Sequence, residues 1–411
     1  MNHGIKIVHT GDLHLGIESY GKNDEILPVN TRVNDFLKSL DYIIDYSINQ
    51  NVDLFLIAGD IYEQREPSIY IQNEFTKRLV KLLEANISVV LLIGNHDSLT
   101  TIRRISSLQI FKELKIPNIY VIDEPSLFQV HTKSGIVQVG GLPYIDKNKM
   151  KEVFRNYSIK EQEKEELKEL MIKNLLIDLE KGVDPNYPAI LTAHLTVREA
   201  IYQNWRPAII GNEIYISLDL LNNDIFSYVA LGHIHKPQYI NNLKNIAYCG
   251  SIDTIDFGEA DFDHGFILLE IDNNSLETNF ISIPEQRKFI TLNVEIGDDK
   301  DIKKVIIREV KKKCTTSDIV KLNIILNDPS ISIDEQEIRK AVSNNCFILS
   351  TIKIERKAKK QTRIDGLTNE GDPLDALNRY ISVTDDPFIK ENKDELVRLT
   401  FDLLKEIKET Q

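Results

Sequence analysis

Along the first hundred residues, short apolar runs alternate with segments whose apolar residues recur every three or four positions. "IKIV" (5–8) precedes a helix predicted near 31–50, "VDLFLIAG" (52–59) one near 69–85, and "ISVVLLIG" (87–94) a short one near 101–114. Strands alternating with helices imply crossover units and a layered α/β core. "IVQVGGL" (136–142), "PAILTAHL" (188–195), "FSYVALGHIH" (226–235) and "FILLEID" (266–272) read as further strands. Between them, residues 158–182 open with Ser158 and Glu161 in a capping box and stop at Gly182. Leu167, Leu170, Met171 and Leu175 give this surface helix its core-facing stripe.

The pattern changes near "SIPEQRKF" (282–289). Beyond it, "ITLNVEI" and "IVKLNIIL" read as strands, with one helix around 301–314 and another beginning near Asp334. These describe a small α/β domain of about 75 residues. "DGLTNEGDP" reads as a linker, "DPLDALNRYI" as a short helix, and "KDELVRLTFDLLKEIKE" as an amphipathic helix with Leu396, Leu399, Leu403 and Ile407 in one stripe. The expected division is 1–285, 286–363 and 364–411, without internal repeats.

At 411 residues and 42% hydrophobic content the chain can bury a full core in two or three domains. It lacks a long apolar span, and "MNHGIKIVHTGD" is too short and polar for a signal peptide, so a soluble cytoplasmic protein with no membrane role is expected. Cys249, Cys314 and Cys346 form no CxxC, which fits structural thiols in a reducing compartment. The net charge of −13 argues against phosphate binding until its distribution is considered. Residues 287–363 hold 18 Lys and Arg against 11 Asp and Glu, a surplus of seven positive charges, which leaves −20 for the rest. "KIERKAKKQTR" (353–363) is the densest stretch and "KKVIIREVKKK" (303–313) the second; each suits either a solvated face or a phosphate-binding surface.

Candidate chemistry sits at strand ends. "LGHIHKPQ" (231–238) places His233 and His235 on one side of an extended backbone. Alone, an HxH pair is as well explained by one hydrogen-bonded and one solvated ring. The other runs end similarly: Asp12 and His14 follow the first, Asp60 the second, Asn95, His96 and Asp97 the third, and His194 closes "AILTAH". In α/β sheets ligands bind outside the carboxyl ends of the strands, so these endings are expected to converge. Carboxylate, amide and imidazole donors without thiolate suit manganese, iron or zinc better than calcium. Seven ligands exceed the needs of one ion. Two ions roughly 3.5–4 Å apart, sharing a bridging carboxylate, would use them all in phosphoester hydrolysis.

The ordered set "GDLH", "GD", "GNHD", "H" and "GHIH" resembles the calcineurin-like metallophosphoesterases. "HTGDLHLG", "AGDIYEQREPS", "GNHDS", "LGHIHKPQ" and "CGSIDTIDFGEADFDHGFILLEI" resemble, more specifically, the SbcD family, the bacterial form of the Mre-eleven DNA-repair nucleases, strongly over about 5–285 and loosely beyond. The resemblance implies a layered α/β core, a β-sandwich flanked by helices, with a small α/β capping domain and C-terminal helices. It implies that Asp12, His14 and His235 hold one ion, that Asn95, His194 and His233 hold the other, and that Asp60 bridges them. His96 would protonate the leaving oxygen or orient the phosphate, with an eighth ligand as its alternative role, and Asp97 would hold its ring. Where archaeal and eukaryotic members carry a histidine three residues after the bridging aspartate, this chain has Glu63. The resemblance further implies two Mn²⁺ ions, with Mg²⁺, Fe or Zn as alternatives. It implies DNA as substrate, a homodimer, and an ATPase partner of the SbcC or Rad-fifty type docked on the C-terminal helices. No GxxxxGK[ST] loop lets this chain bind ATP in that way itself.

Three functions compete. A Mn-dependent exo/endonuclease in double-strand-break repair explains the segregated charge, whereas a phosphomonoesterase or cyclic-nucleotide phosphodiesterase would not need a basic appendage. A non-catalytic DNA tether would not need His96. His3, His9, His131 and His264 lack partner motifs and read as structural or exposed. Tyr20, Arg103 and Arg104 fit either a phosphate contact or ordinary surface.

Overall fold

A computed structural model describes residues 4–23, 29–98, 106–145, 161–201, 214–272, 275–284, 286–297, 301–328, 331–357, 372–384 and 386–410, with the side chains of 161–165 and 406–410 excepted. The chain runs β1 (Ile5–Thr10), α1 (Thr31–Asn49), β2 (Leu54–Ile57), α2 (Ile69–Glu84), β3 (Ser88–Leu92), α3 (Gln109–Glu113), β4 (Ile119–Ile122), β5 (Ser126–Thr132) and β6 (Gly135–Leu142). It continues through α4 (Glu161–Lys181), β7 (Ala189–His194), β8 (Thr196–Val197), β9 (Tyr215–Ile216), β10 (Tyr228–Gly232), β11 (Gln238–Tyr239), β12 (Ile246–Tyr248), β13 (Gly265–Asp272) and β14 (Ser275–Ser282). The last part holds β15 (Phe289–Ile296), α5 (Ile302–Lys313), β16 (Ile319–Leu326), α6 (Glu335–Val342), β17 (Ile348–Arg356), α7 (Pro373–Val383), α8 (Pro387–Glu391) and α9 (Lys393–Thr410).

Two six-stranded sheets, ordered β14-β13-β1-β2-β3-β4 and β11-β12-β10-β7-β6-β5, pack face to face. Ile7, Leu56 and Val90 from one sheet meet Val139, Ile190 and Ala230 from the other. The outer face of the first sheet buries Phe55, Val89 and Leu91 against Phe36 and Leu40 of α1 and Phe75 and Leu79 of α2. Ile172, Leu176 and Leu179 of α4 cover the second sheet. The central strands β1–β2–β3 and β7–β10 run parallel. Covered on both faces, they can be apolar on both, which is why most of their positions are apolar. The sandwich flanked by helices agrees with the predicted fold class.

Local chemistry starts the helices where the pattern predicts. Asn30 caps α1 by accepting from the Arg32 N–H, and Ser68 caps α2 by accepting from Ile71. The predicted stripe on α4 is rotated by about one residue: Leu170 is exposed, Leu167, Met171 and Leu175 are half-buried, and Ile172 and Leu176 take the core positions. A run of "LMIKNLLIDL" offers two adjacent apolar stripes, and packing on β7 and β10 selects one. The short helix predicted near 101–114 occupies Gln109–Glu113 among the described residues. Ser158, Arg103, Arg104 and His3 lie outside those residues.

A separate parallel sheet, β15-β16-β17, is crossed by α5 and α6. Only one face is covered, and burial along β15 accordingly alternates. Arg287 fastens this unit beside α1: its Nε donates to Asp35 at 2.7 Å and its guanidinium lies 3.7 Å from the centre of the Phe347 ring. Tyr20, read from sequence as a phosphate contact or ordinary surface, packs edge-on against Phe257 and Phe289 at this junction. On α9 the predicted stripe is partly open to solvent: Leu399 and Leu403 are more than half exposed and Leu396 is half-buried; the Ile407 side chain lies outside the described residues.

Candidate metal centre

The carboxyl ends of β1, β2, β3, β7 and β10 meet at one rim of the paired sheets; His194 closes β7, and the loops after the other four carry the remaining candidate ligands. Asp12 follows β1, and its carboxylate accepts the His233 N–H at 2.9 and 3.1 Å, tying β1 to β10 across the sandwich. The Asp12 N–H donates to Gly59 at 3.0 Å, and that of His14 to Asp60 at 3.0 Å. Asp12, His14, Asp60 and His233 all adopt left-handed backbone, with φ of 48°, 42°, 49° and 96°. Such conformations cost about 1–3 kcal/mol each in residues with a Cβ and persist only where the surroundings impose them. Gly94 permits a close approach, because a Cβ there would lie 2.2 Å from Asp60 Oδ1.

Three triads place their ligand atoms within 4.8 Å of one another: Asp12, His14 and His235; His14, Asp60 and His96; Asp60, His194 and His233. Asn95 joins the last through its Oδ1, 2.9 Å from both His194 Nε2 and His233 Nδ1. All seven predicted ligands are therefore brought together, with Asp60 between the two ends: its Oδ2 lies 3.8 Å from His14 Nε2 and 3.4 Å from His194 Nε2.

The hydrogen-bond directions test whether cations fit. His14 Nδ1 donates to Glu63 Oε2 at 2.8 Å and His235 Nδ1 to Glu259 Oε1 at 2.6 Å, so in neutral rings both Nε2 atoms carry lone pairs. These Nε2 atoms face each other at 3.1 Å. His194 repeats the arrangement, donating Nδ1–H to the Ala58 carbonyl at 2.8 Å while its Nε2 faces the acceptor oxygen of Asn95. Converging lone pairs repel unless a cation, or a proton in its absence, lies among them. The donor set fits divalent cations. Protons compete for the same sites. Burial lowers the pKa of His194, but the Asp60 carboxylate outweighs it and raises it to about 9; burial is likewise overcome at His235 by Glu259, again to about 9. Burial also opposes charge on Asp60, yet His194, His14 and His96 hold its carboxyl well below the usual range.

His96 lies at the rim, its N–H donating to Asp60 Oδ1 at 2.8 Å and its ring 4.7 Å from that of His14. The ring is held by the Glu63 main-chain carbonyl, 2.7 Å from Nδ1, and not by Asp97 as expected from sequence. Asp97 instead accepts from the N–H groups of Ile61, Tyr62 and Gly94, shaping the loop beneath. Burial and the charge of Asp60 push its carboxyl up to about 6. The carboxylate partners of His14 and His235 were not legible in the sequence; Glu259 lies in the "GEADFDHG" stretch, a signal only in hindsight. The histidines expected to be structural or exposed are so among the described residues: His9 is buried against the Tyr228 hydroxyl, His264 is buried beside Ser251, and His131 is exposed.

A helix-flanked double sheet with such donors at its converging strand ends defines a metal-dependent phosphoesterase. Residues 5–237 match the calcineurin-like phosphoesterases, and the chain belongs to that family. The D subunit of nuclease SbcCD from Staphylococcus epidermidis is 29% identical over 305 residues, covering 72% of this chain and 74% of that protein. The crystal structure of a dimetal phosphatase from Danio rerio superposes with a TM-score of 0.42 at 10% identity, covering 68% of this chain and 96% of the other. Among the described residues, no helix is long and apolar enough to cross a membrane.

Proposed function

We propose that the chain is a divalent-cation-dependent DNA nuclease of the SbcD type, hydrolysing phosphodiesters at a dinuclear site. The observation that carries this reading is the pair of lone-pair clusters, His14 with His235 and His194 with Asn95, on either side of one carboxylate, Asp60. Asp12, His14 and His235 would hold one ion and Asn95, His194 and His233 the other, with Asp60 common to both. Two cations, Mn²⁺ by preference and Mg²⁺, Fe or Zn as alternatives, supply Lewis acidity at the phosphoryl oxygens and an activated water. The residues do the rest. His96, with Nδ1 committed to the Glu63 carbonyl, keeps Nε2 for the substrate, where its protonated form donates to the departing oxygen. Glu63 and Glu259 fix the tautomers of His14 and His235 so that Nε2 points inward.

DNA as substrate is supported by the likeness to a nuclease and by the surplus of Lys and Arg over 287–363, within a proposed basic capping domain of 286–363 that follows a nuclease domain of 1–285. Part of its charge is internally paired: Lys303 with Glu337, Lys304 with Asp301, and Lys357 with Glu295. Replacing Arg356, Lys357, Lys359 and Lys360 with Ala is expected to weaken duplex binding and to flatten the log–log salt dependence by roughly 0.9 for each phosphate no longer neutralised; Lys359 and Lys360 lie outside the described residues. Titrating duplex DNA into a cleavage assay with a small aryl phosphodiester tests the reading as a whole. Competition is expected, and its absence would favour a phosphomonoesterase or cyclic-nucleotide phosphodiesterase.

The exposed Leu399, Phe401 and Leu403 of α9, with Phe388 of α8, support a docking surface in 364–411 for a coiled coil of an SbcC or Rad-fifty type ATPase. Truncation before Lys393 is expected to abolish co-purification of such an ATPase while leaving cleavage of the small diester intact; retained co-purification would place the interface elsewhere.

A further inference from the structure

We infer that His9 is a positioning residue for both cations: held between the Tyr228 hydroxyl and the Leu231 carbonyl inside the sandwich, it fixes the gap between two sheets that divide the ligands between them. The inference rests on the dinuclear reading above.

Each cation position draws on both sheets. Asp12, His14, Asp60 and Asn95 follow β1, β2 and β3 of the first sheet, whereas His194 closes β7 and His233 and His235 follow β10 of the second. Asp12 and His14 meet His235 on one side, and Asn95 meets His194 and His233 on the other. Neither set closes unless the sheets stand at the right separation and stagger. Burial of apolar surface holds the sheets together but carries no direction, so it sets that alignment only loosely.

His9 supplies the direction. It shares a face of β1 with Ile5 and Ile7, between the sheets, and is fully buried. Both ring nitrogens are committed to β10 of the opposite sheet: Nε2 donates to the Leu231 carbonyl at 3.2 Å, and Nδ1 accepts from the Tyr228 hydroxyl at 2.9 Å. Burial drives the pKa of the ring down to about 3, which keeps the neutral form with one donor and one acceptor. The two rings meet edge to face at 5.7 Å. His9 stands three residues before Asp12 and Leu231 two before His233, so the bridge joins these strands just inside the rim. Asp12 and the His233 N–H tie the same strands at the rim, but Asp12 is itself a proposed ligand, whereas His9 belongs to neither set. A satisfied buried polar pair adds little stability over apolar groups of the same shape; a slip leaves both partners unpaired, so the pair enforces one alignment.

The test is electron paramagnetic resonance of the full chain loaded with Mn²⁺, read beside kcat on the small aryl phosphodiester and thermal unfolding of the metal-free chain. Wild type is expected to give the spectrum of an exchange-coupled ion pair. His9→Phe combined with Tyr228→Phe keeps the ring-on-ring contact and removes both polar groups together. This double variant is expected to fold, to lose the coupled spectrum, and to lower kcat by about 10²-fold with KM little changed, the cost of a misplacement of about 1 Å. Tyr228→Phe alone retains the Leu231 bond and should move both readouts in the same direction by less; should the double variant not fold, this single variant decides. Val139→Ala, in the same interface but on β6, is the control: it should lower thermal stability and leave spectrum and kcat as in wild type. A wild-type spectrum and kcat from the folded Phe variants, or an equal change in Val139→Ala, would overturn the inference while leaving the dinuclear reading intact. A wild-type chain without a coupled spectrum would overturn both.

Discussion

Asp60→Asn is expected to remove hydrolysis together with both cations, the largest loss that any single substitution in this chain should cause. Asp60 stands between the two ligand clusters, and the variant keeps its shape while losing its charge. At an effective dielectric near 20 and a separation of about 4 Å, two unit charges attract by about 4 kcal/mol and a dication by twice that, so removing the Asp60 charge costs at least about three decades in affinity for each ion. The fold should survive, because an amide oxygen can still accept the His96 N–H as Asp60 Oδ1 does at 2.8 Å. Proton linkage gives an independent readout. In the metal-free chain His194 and His235, raised to about 9, carry protons at neutral pH, and cations bind the unprotonated rings. Uptake by wild type should therefore release protons, and its affinity should climb with pH until about 9. Without the Asp60 charge, the His194 pKa should fall and its share of the release should shrink. Mn²⁺ titration in weakly buffered solution measures both effects, and an Asp60→Asn variant that still binds two ions would remove Asp60 from its bridging role.

His96→Ala should act in the opposite manner, sparing metal content while lowering kcat by about 10²–10⁴, the usual contribution of a positioned proton donor. The ring belongs to the rim and its Nδ1 is committed to a carbonyl, so the variant leaves the seven proposed ligands in place. The competing role is that of an eighth ligand, for which the triad of His14, Asp60 and His96 leaves geometric room. Metal analysis separates the two: two ions per chain with turnover lost supports the proton donor, and loss of manganese makes His96 a ligand.

Much of this site is legible because its parts are local. The central parallel strands of the sandwich are buried on both faces, so they read as largely apolar runs, and the residues that end them announce themselves. The small parallel sheet is legible for the opposite reason, since one open face makes β15 alternate. Misreadings arise where local rules leave two answers. The apolar residues of α4 allow two stripes, and only the surface beneath picks Ile172 and Leu176 over Leu170. Asp97 is adjacent to His96 in the chain, and adjacency suggests that it holds the ring, yet the loop turns that carboxylate toward three backbone N–H groups of other residues.

Which donors are available, and the strand order in which they arrive, can be read along the chain, because residue type and periodicity are properties of neighbouring positions. How those donors pair is a product of folding. His14 meets His235 across 221 residues and Glu63 across 49, separations over which chain position carries no information about distance. The left-handed backbone at Asp12, His14, Asp60 and His233 belongs with the pairing: nothing in an aspartate or histidine compels it, and the crossed hydrogen bonds between the β1, β2 and β10 loops impose it.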